Sequence, residues 1–149
     1  MNPFDPKSAL LAKHAQHVVL IHFPIALFFM SVVFDLIALR RANPNWGIVA
    51  YYNSAAAALA TLPAIATGLL AWQLQLEGKP LRGILRLHFV LALLSTTLIW
   101  FVWWLQDGAR RKRPRGSPAF RYAVELVAVS LTTLAAHAGG FLSGVNVPG

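Results

Sequence analysis

The chain has 149 residues, a net charge of +8 and a mean hydropathy of +0.58, with 57% hydrophobic and 12% charged residues. Soluble domains carry roughly 25% charged residues, so the composition excludes an ordinary soluble protein and points to one integral membrane domain over 1–149. The absence of cysteine excludes disulfides, thiolate-held iron–sulfur clusters, blue-copper sites and c-type haem, leaving metal chemistry to histidine and oxygen ligands.

The first 13 residues form a polar lead in which Pro3 and Pro6 resist regular structure, and Ser8 is placed to cap an interfacial turn carrying Leu10 and Leu11. His14 and His17 fall at headgroup level. The first apolar run, 18–39, is long enough to cross a bilayer core as a helix. It is longer than a signal h-region and no small-x-small cleavage site follows, so it reads as a permanent span. Pro24 removes a backbone donor and loosens the first turns beside His22. Asp35 lies near the far end of this span, before Arg40 and Arg41. Asn43-Pro44-Asn45 reads as a turn.

The second span, about 47–72, is alanine-rich, which lets helix backbones approach closely in lipid; Pro63 should kink it. A connector over 73–83 leads to the third span, about 84–104, which opens with Arg86 and His88. It closes with Trp100, Phe101, Trp103 and Trp104, an expected interfacial belt. The connector 106–118 holds Arg110, Arg111, Lys112, Arg113 and Arg115 and reads as a solvated loop facing phospholipid. The fourth span, about 119–142, opens with Arg121 and Glu125 and closes with His137-Ala-Gly139-Gly140. The tail 143–149 is uncharged, and no sequence repeat stands out.

These elements predict an all-α, up-down-up-down four-helix bundle with both termini on one side. That side and the second connector carry Lys7, Lys13, Lys79, Arg82 and Arg86; the other carries Arg40, Arg41, Arg110, Arg111, Lys112, Arg113, Arg115 and Arg121. The positive-inside rule then puts the termini outside, periplasmic in a bacterial inner membrane, as a multi-pass protein. The positive charge sits in short connectors and forms no folded basic face, so nucleic acid is not an expected partner.

In this topology His22, His88 and His137 fall at one level, roughly 6–8 Å below the outer surface. Helices one and three are diagonal in such a bundle, so His22 and His88 are the expected axial pair for a b-type haem, with His137 as an alternative ligand or propionate partner. His17 is about 140° round the helix from His22, so the two cannot both point inward. Three level histidines could instead hold zinc or copper, or serve as polar links between helices with no cofactor. At the inner ends, Asp35 and Glu125 with Arg40 and Arg121 are expected to form structural ion pairs.

The stretch His17-x4-His22-Phe23-Pro24-Ile25-Ala26-Leu27, followed by Phe34-Asp35-Leu36, resembles the opening of a bacterial family of four-span membrane proteins classed as a domain of unknown function. His88 at the start of span three and His137-Ala-Gly139-Gly140 closing span four match the same pattern. Two departures stand out: Val18 replaces the family's proline after the first histidine, and the tail lacks a further histidine beyond the Gly-Gly. The resemblance implies four helices and a relation to small b-type cytochromes. The leading expectation is electron transfer through a histidine-held haem near the periplasmic side, with other membrane subunits or a periplasmic electron carrier as partners, rather than a stand-alone enzyme. The alternative is a non-catalytic accessory subunit of a larger respiratory or photosynthetic complex.

Overall fold

The computed structural model describes residues 15–41 and 43–144; the expected Ser8 turn, His14 and the end of the tail lie outside them. Among the described residues five α-helices follow in order: α1 Ala15–Leu20, α2 His22–Arg40, α3 Pro44–Gln75, α4 Gly83–Arg110 and α5 Pro118–Leu142. No strand occurs among the described residues. Four stretches are long and apolar enough to cross a membrane: Gln16–Arg40, Pro44–Leu74, Gly83–Arg110 and Pro118–Leu142. The first joins α1 and α2 across a break at Ile21. Pro24 has no N–H to offer the Leu20 carbonyl, and the Ile25 N–H reaches Ile21 O only at 3.4 Å, so the ladder is weakest there.

Helix starts follow the sequence chemistry. The Asn43 side chain accepts from Asn45 N at 3.0 Å with Pro44 in the first helical position, so the expected turn is a helix cap. Ser117 accepts from Phe120 N at 3.1 Å before Pro118 in the same way. α3 stays helical through Pro63. α4 runs six residues beyond the expected end at 104, because Leu105 is buried and Asp107 pairs with Arg111 one turn on. Gln106 is therefore a buried helical residue, not part of a connector. The expected aromatic belt is only partly one. Trp100 and Trp103, three apart on one helix face, pack on the core, and Trp100 donates to Thr61 Oγ1 at 3.1 Å, whereas Trp104 is exposed.

The helices associate as two hairpins, α2 with α3 and α4 with α5, closely packed within and more sparsely packed between. Both hairpins begin at the same end of the bundle. We call this the histidine end, and the end bearing the link before Pro44 and the 111–117 connector the basic end. The core is built from Phe28, Ala57, Ala58, Ile99, Val102 and Ala128. Bulky leucines such as Leu59, Leu62, Leu93 and Leu126 face outward, the inversion expected where the surroundings are hydrocarbon.

The two hairpins share one inward pattern. Adding 71 to the buried positions Pro24, Phe28, Ser31, Asp35, Ser54, Ala57, Thr61 and Ala64 gives Ser95, Ile99, Val102, Gln106, Glu125, Ala128, Thr132 and Ala135, all of them buried. Only Ala50 and Ala58 land on half-buried partners, Arg121 and Val129. The same shift carries His17 to His88, Tyr51 to Tyr122 and Gly68 to Gly139. The chain is thus a parallel repeat of two helical hairpins. It escapes notice in sequence because the lipid-facing positions between the matched ones have only to be apolar.

Repeat-equivalent alanines should respond alike. Ala57→Leu and Ala128→Leu, at sites with no exposed surface, should each cost about 1–3 kcal/mol by overpacking. Ala56→Leu, on the exposed face, should stay within about 0.5 kcal/mol of the parent. Unfolding in detergent measures all three.

Candidate cofactor site and buried charge cluster

Four segments each place one polar device at the histidine end. His17, on α1, directs Nδ1 to Thr67 Oγ1 on α3 at 3.3 Å. The Thr67 hydroxyl donates its own proton to Pro63 O at 2.8 Å, so its oxygen accepts from the imidazole. His88, on α4, donates from Nδ1 to the Ala135 carbonyl on α5 at 3.0 Å. A ring that donates from Nδ1 carries its lone pair on Nε2. An imidazole anchored through its other N–H to a carbonyl or hydroxyl is the common arrangement of metal-bound histidine.

Each ring also rests on a glycine. A Cβ at Gly68 would stand 2.9 Å from His17 Cε1, and one at Gly139 would stand 3.0 Å from His88 Cε1. Any larger residue would push the rings aside. Both are half-buried, and the helix face around His88 contributes no buried residue before Ser95.

The expected set His22, His88 and His137 is therefore not the set the fold brings together. His22 is exposed and folds back onto the Val18 carbonyl at 2.6 Å. His137 is exposed, with the Phe141 ring edge-on at 5.0 Å. The 140° between positions 17 and 22 means one of them must point outward, and the inward position falls to His17. Among the described residues no three histidine or carboxylate side chains converge closely enough to hold a metal ion, so the three-histidine zinc or copper arrangement is not formed.

At the basic end a polar cluster joins the hairpins. Arg121 Nη2 lies 2.8 Å from Asp35 Oδ2, and Arg121 Nε lies 3.7 Å from Glu125 Oε1. Gln106 Nε2 donates to Glu125 Oε1 at 3.1 Å and points to Ser31 Oγ at 3.5 Å, while its carbonyl accepts from Ser54 at 2.5 Å. Ser31 donates in turn to the Ala50 carbonyl at 2.8 Å. Asp35, Glu125 and Arg121 meet as expected. Arg40 does not join them: it is exposed on the outer face of α2, five residues and 140° beyond Asp35. Gln106, Ser31 and Ser54 escaped the sequence reading. The available signal was the repeat, since Gln106 occupies the position of Asp35, and Ser54 that of Glu125.

The basic connector is less free than its composition suggests. Arg111 grips Asp107 through Nε at 2.9 Å to both oxygens, and Arg115 reaches the same carboxylate at 3.6 Å. The Arg115 guanidinium lies over the Trp104 ring at 4.4 Å, and that of Arg110 over Tyr51 at 4.7 Å. Lys112 and Arg113 are exposed and available to headgroups.

The family model described as "Predicted membrane protein (DUF2231)" matches residues 13–146. No curated protein and no solved structure matches the chain.

Arg121→Gln should destabilise the protein by about 3–5 kcal/mol, because it strands two buried carboxyl groups without their cation. Arg40→Gln should be nearly neutral, within about 0.5 kcal/mol. Comparative unfolding in detergent distinguishes this arrangement from one in which Arg40 shares the load.

Proposed function

We propose that this chain, which belongs to the DUF2231 family of predicted membrane proteins, holds a b-type haem between His17 and His88 and passes electrons at the histidine end of the bundle. The observation that carries this reading is the matched pair of imidazoles. Each is anchored at Nδ1 by the neighbouring helix, each rests on a glycine, and each keeps Nε2 for a ligand. A bis-histidine haem asks for two protein ligands, and His17 and His88 are the pair assigned to it in this reading. A structural or catalytic zinc site asks for three or four, which the described residues do not bring together. A haem with both axial positions filled by histidine has no open site for substrate and serves electron transfer. Thr67 and the Ala135 carbonyl would hold the rings in orientation and raise their basicity.

The repeat strengthens this reading. His17 and His88 are equivalent positions of the two hairpins, and membrane proteins built from repeats commonly place their ligand sites at the interface between repeats. Excess positive charge at the basic end, with Arg40, Arg41, Lys112 and Arg113 exposed there, supports a cytoplasmic basic end and a histidine end that opens to the periplasm. A periplasmic carrier or a neighbouring membrane subunit would then receive the electron.

The decisive measurement is a reduced-minus-oxidised visible spectrum of protein purified from haem-replete cells. A sharp haem band is expected, lost in His17→Ala and in His88→Ala and retained in His22→Ala and His137→Ala. A colourless protein that co-purifies in fixed ratio with a large complex would replace this reading with that of an accessory subunit. Sidedness is checked by single-cysteine labelling: a cysteine at Gly116 should react only from the cytoplasmic side and one at Glu77 only from the periplasmic side.

A further inference from the structure

The cluster at the basic end contains two carboxyl groups and one guanidinium. Asp35 and Glu125 are almost fully buried, at 4% and 1% exposure. Both carboxyl groups lie against the one Arg121 guanidinium, Asp35 Oδ2 at 2.8 Å and Glu125 Oε1 at 3.7 Å. Glu125 Oε2 is enclosed with no donor, and the contact of Asp35 Oδ2 with Arg121 is off the line that a hydrogen bond needs. The groups facing this point can be taken helix by helix. From α2 comes Asp35, with Ser31. From α3 come only the neutral Ser54 and, through Ser31, the Ala50 carbonyl. From α4 comes the neutral Gln106; the charge of its neighbour Asp107 is taken by Arg111 and Arg115. From α5 come Arg121, Tyr122 and Glu125, and the Tyr122 hydroxyl is engaged by Arg121 at 3.2 Å.

Arg121 can neutralise one carboxylate. A second would leave an uncompensated negative charge inside the bilayer, which is among the costliest things a membrane protein can bury. Two carboxylates drawn to one guanidinium also repel, and Glu125 Oε2 is enclosed without a donor. One proton placed there removes the net charge and supplies the missing donor. We propose that Asp35 and Glu125 form a proton-binding site, holding a single exchangeable proton between them as a carboxyl–carboxylate pair.

The route of exchange is on the basic side. A cavity of about 70 Å³ beside the connector is lined by Leu105, Ala109, Arg115, Ser117, Pro118 and Arg121, and so adjoins the guanidinium that contacts both carboxyl groups. Toward the histidine end the site is closed by Phe28, Ala57, Ile99, Val102 and Ala128. The proton comes from water at the basic end and returns to it, with no electron transferred. Eighteen residues separate Asp35 from His17, about 27 Å along the helix, so the site stands whether or not a cofactor binds at the other end.

Infrared spectroscopy of the detergent-purified chain tests this without any cofactor. At pH 7 a C=O stretch of a protonated carboxyl group is expected, shifting on transfer to D2O. Asp35→Asn and Glu125→Gln should each abolish it, since the one remaining carboxylate is then matched by Arg121. Ala109→Trp, which fills the cavity, should slow the D2O shift several-fold and leave the equilibrium band intact. Absence of the band at pH 7 in the parent chain would overturn the proposal. So would its persistence in either single variant, or its displacement by sodium but not by choline. A D2O shift that never develops, or that Ala109→Trp does not slow, would overturn the exchange route. The measurements on the parent chain stand even where a variant fails to fold.

Discussion

The Arg121–Asp35 ion pair, 2.8 Å across the interface between hairpins, is the constraint on which the arrangement of this bundle rests. Within lipid no water competes for a charged group, so a buried guanidinium and its carboxylates must find one another. Apolar packing tells the helices little about register, because lipid tails are as apolar as leucine. Alanine faces allow close approach at many registers. Gln106, held at once by Ser54 and Glu125 and pointing to Ser31, and Arg121 together specify one.

The two ends of the molecule are built for different chemistry. At the basic end polar groups are knitted across all four spans. At the histidine end each hairpin looks after itself: His17 leans on α3 and His88 on α5. No hydrogen bond among the described residues links the two hairpins at that end. The contacts that fix the register of the bundle are thus concentrated at the basic end.

The repeat gives these differences a common origin. Positions related by the shift of 71 remain alike where they pack helices or seat a histidine: Ala57 and Ala128, Thr61 and Thr132, Gly68 and Gly139, His17 and His88. They differ where charge is concerned. Asp35 corresponds to Gln106, Ser54 to Glu125, and Ala50 to Arg121. Keeping the histidine pair keeps one anchored imidazole in each hairpin. Splitting the polar positions into donors and acceptors lets one hairpin complement the other, which two identical carboxylates facing each other could not do.

Four spans, their alternation and the end at which His17, His22, His88 and His137 lie are legible along the chain, because length, hydropathy and connector charge are additive. The sequence by itself also placed Asp35, Glu125 and Arg121 at one level. It could not decide which of His17 and His22 turns inward, since 140° on a helix with apolar residues all round leaves both faces open until neighbours are present. Nor could it reveal that α4 continues through Gln106, because Leu-Gln-Asp-Gly is loop-like until Leu105 is buried and Asp107 finds Arg111. Only the packed structure set Gly68 and Gly139 beneath the imidazoles, left Arg40 outside the ion pairs and lined up the two hairpins as copies. Each of those depends on which side chains meet across helices, and hydropathy carries no record of that.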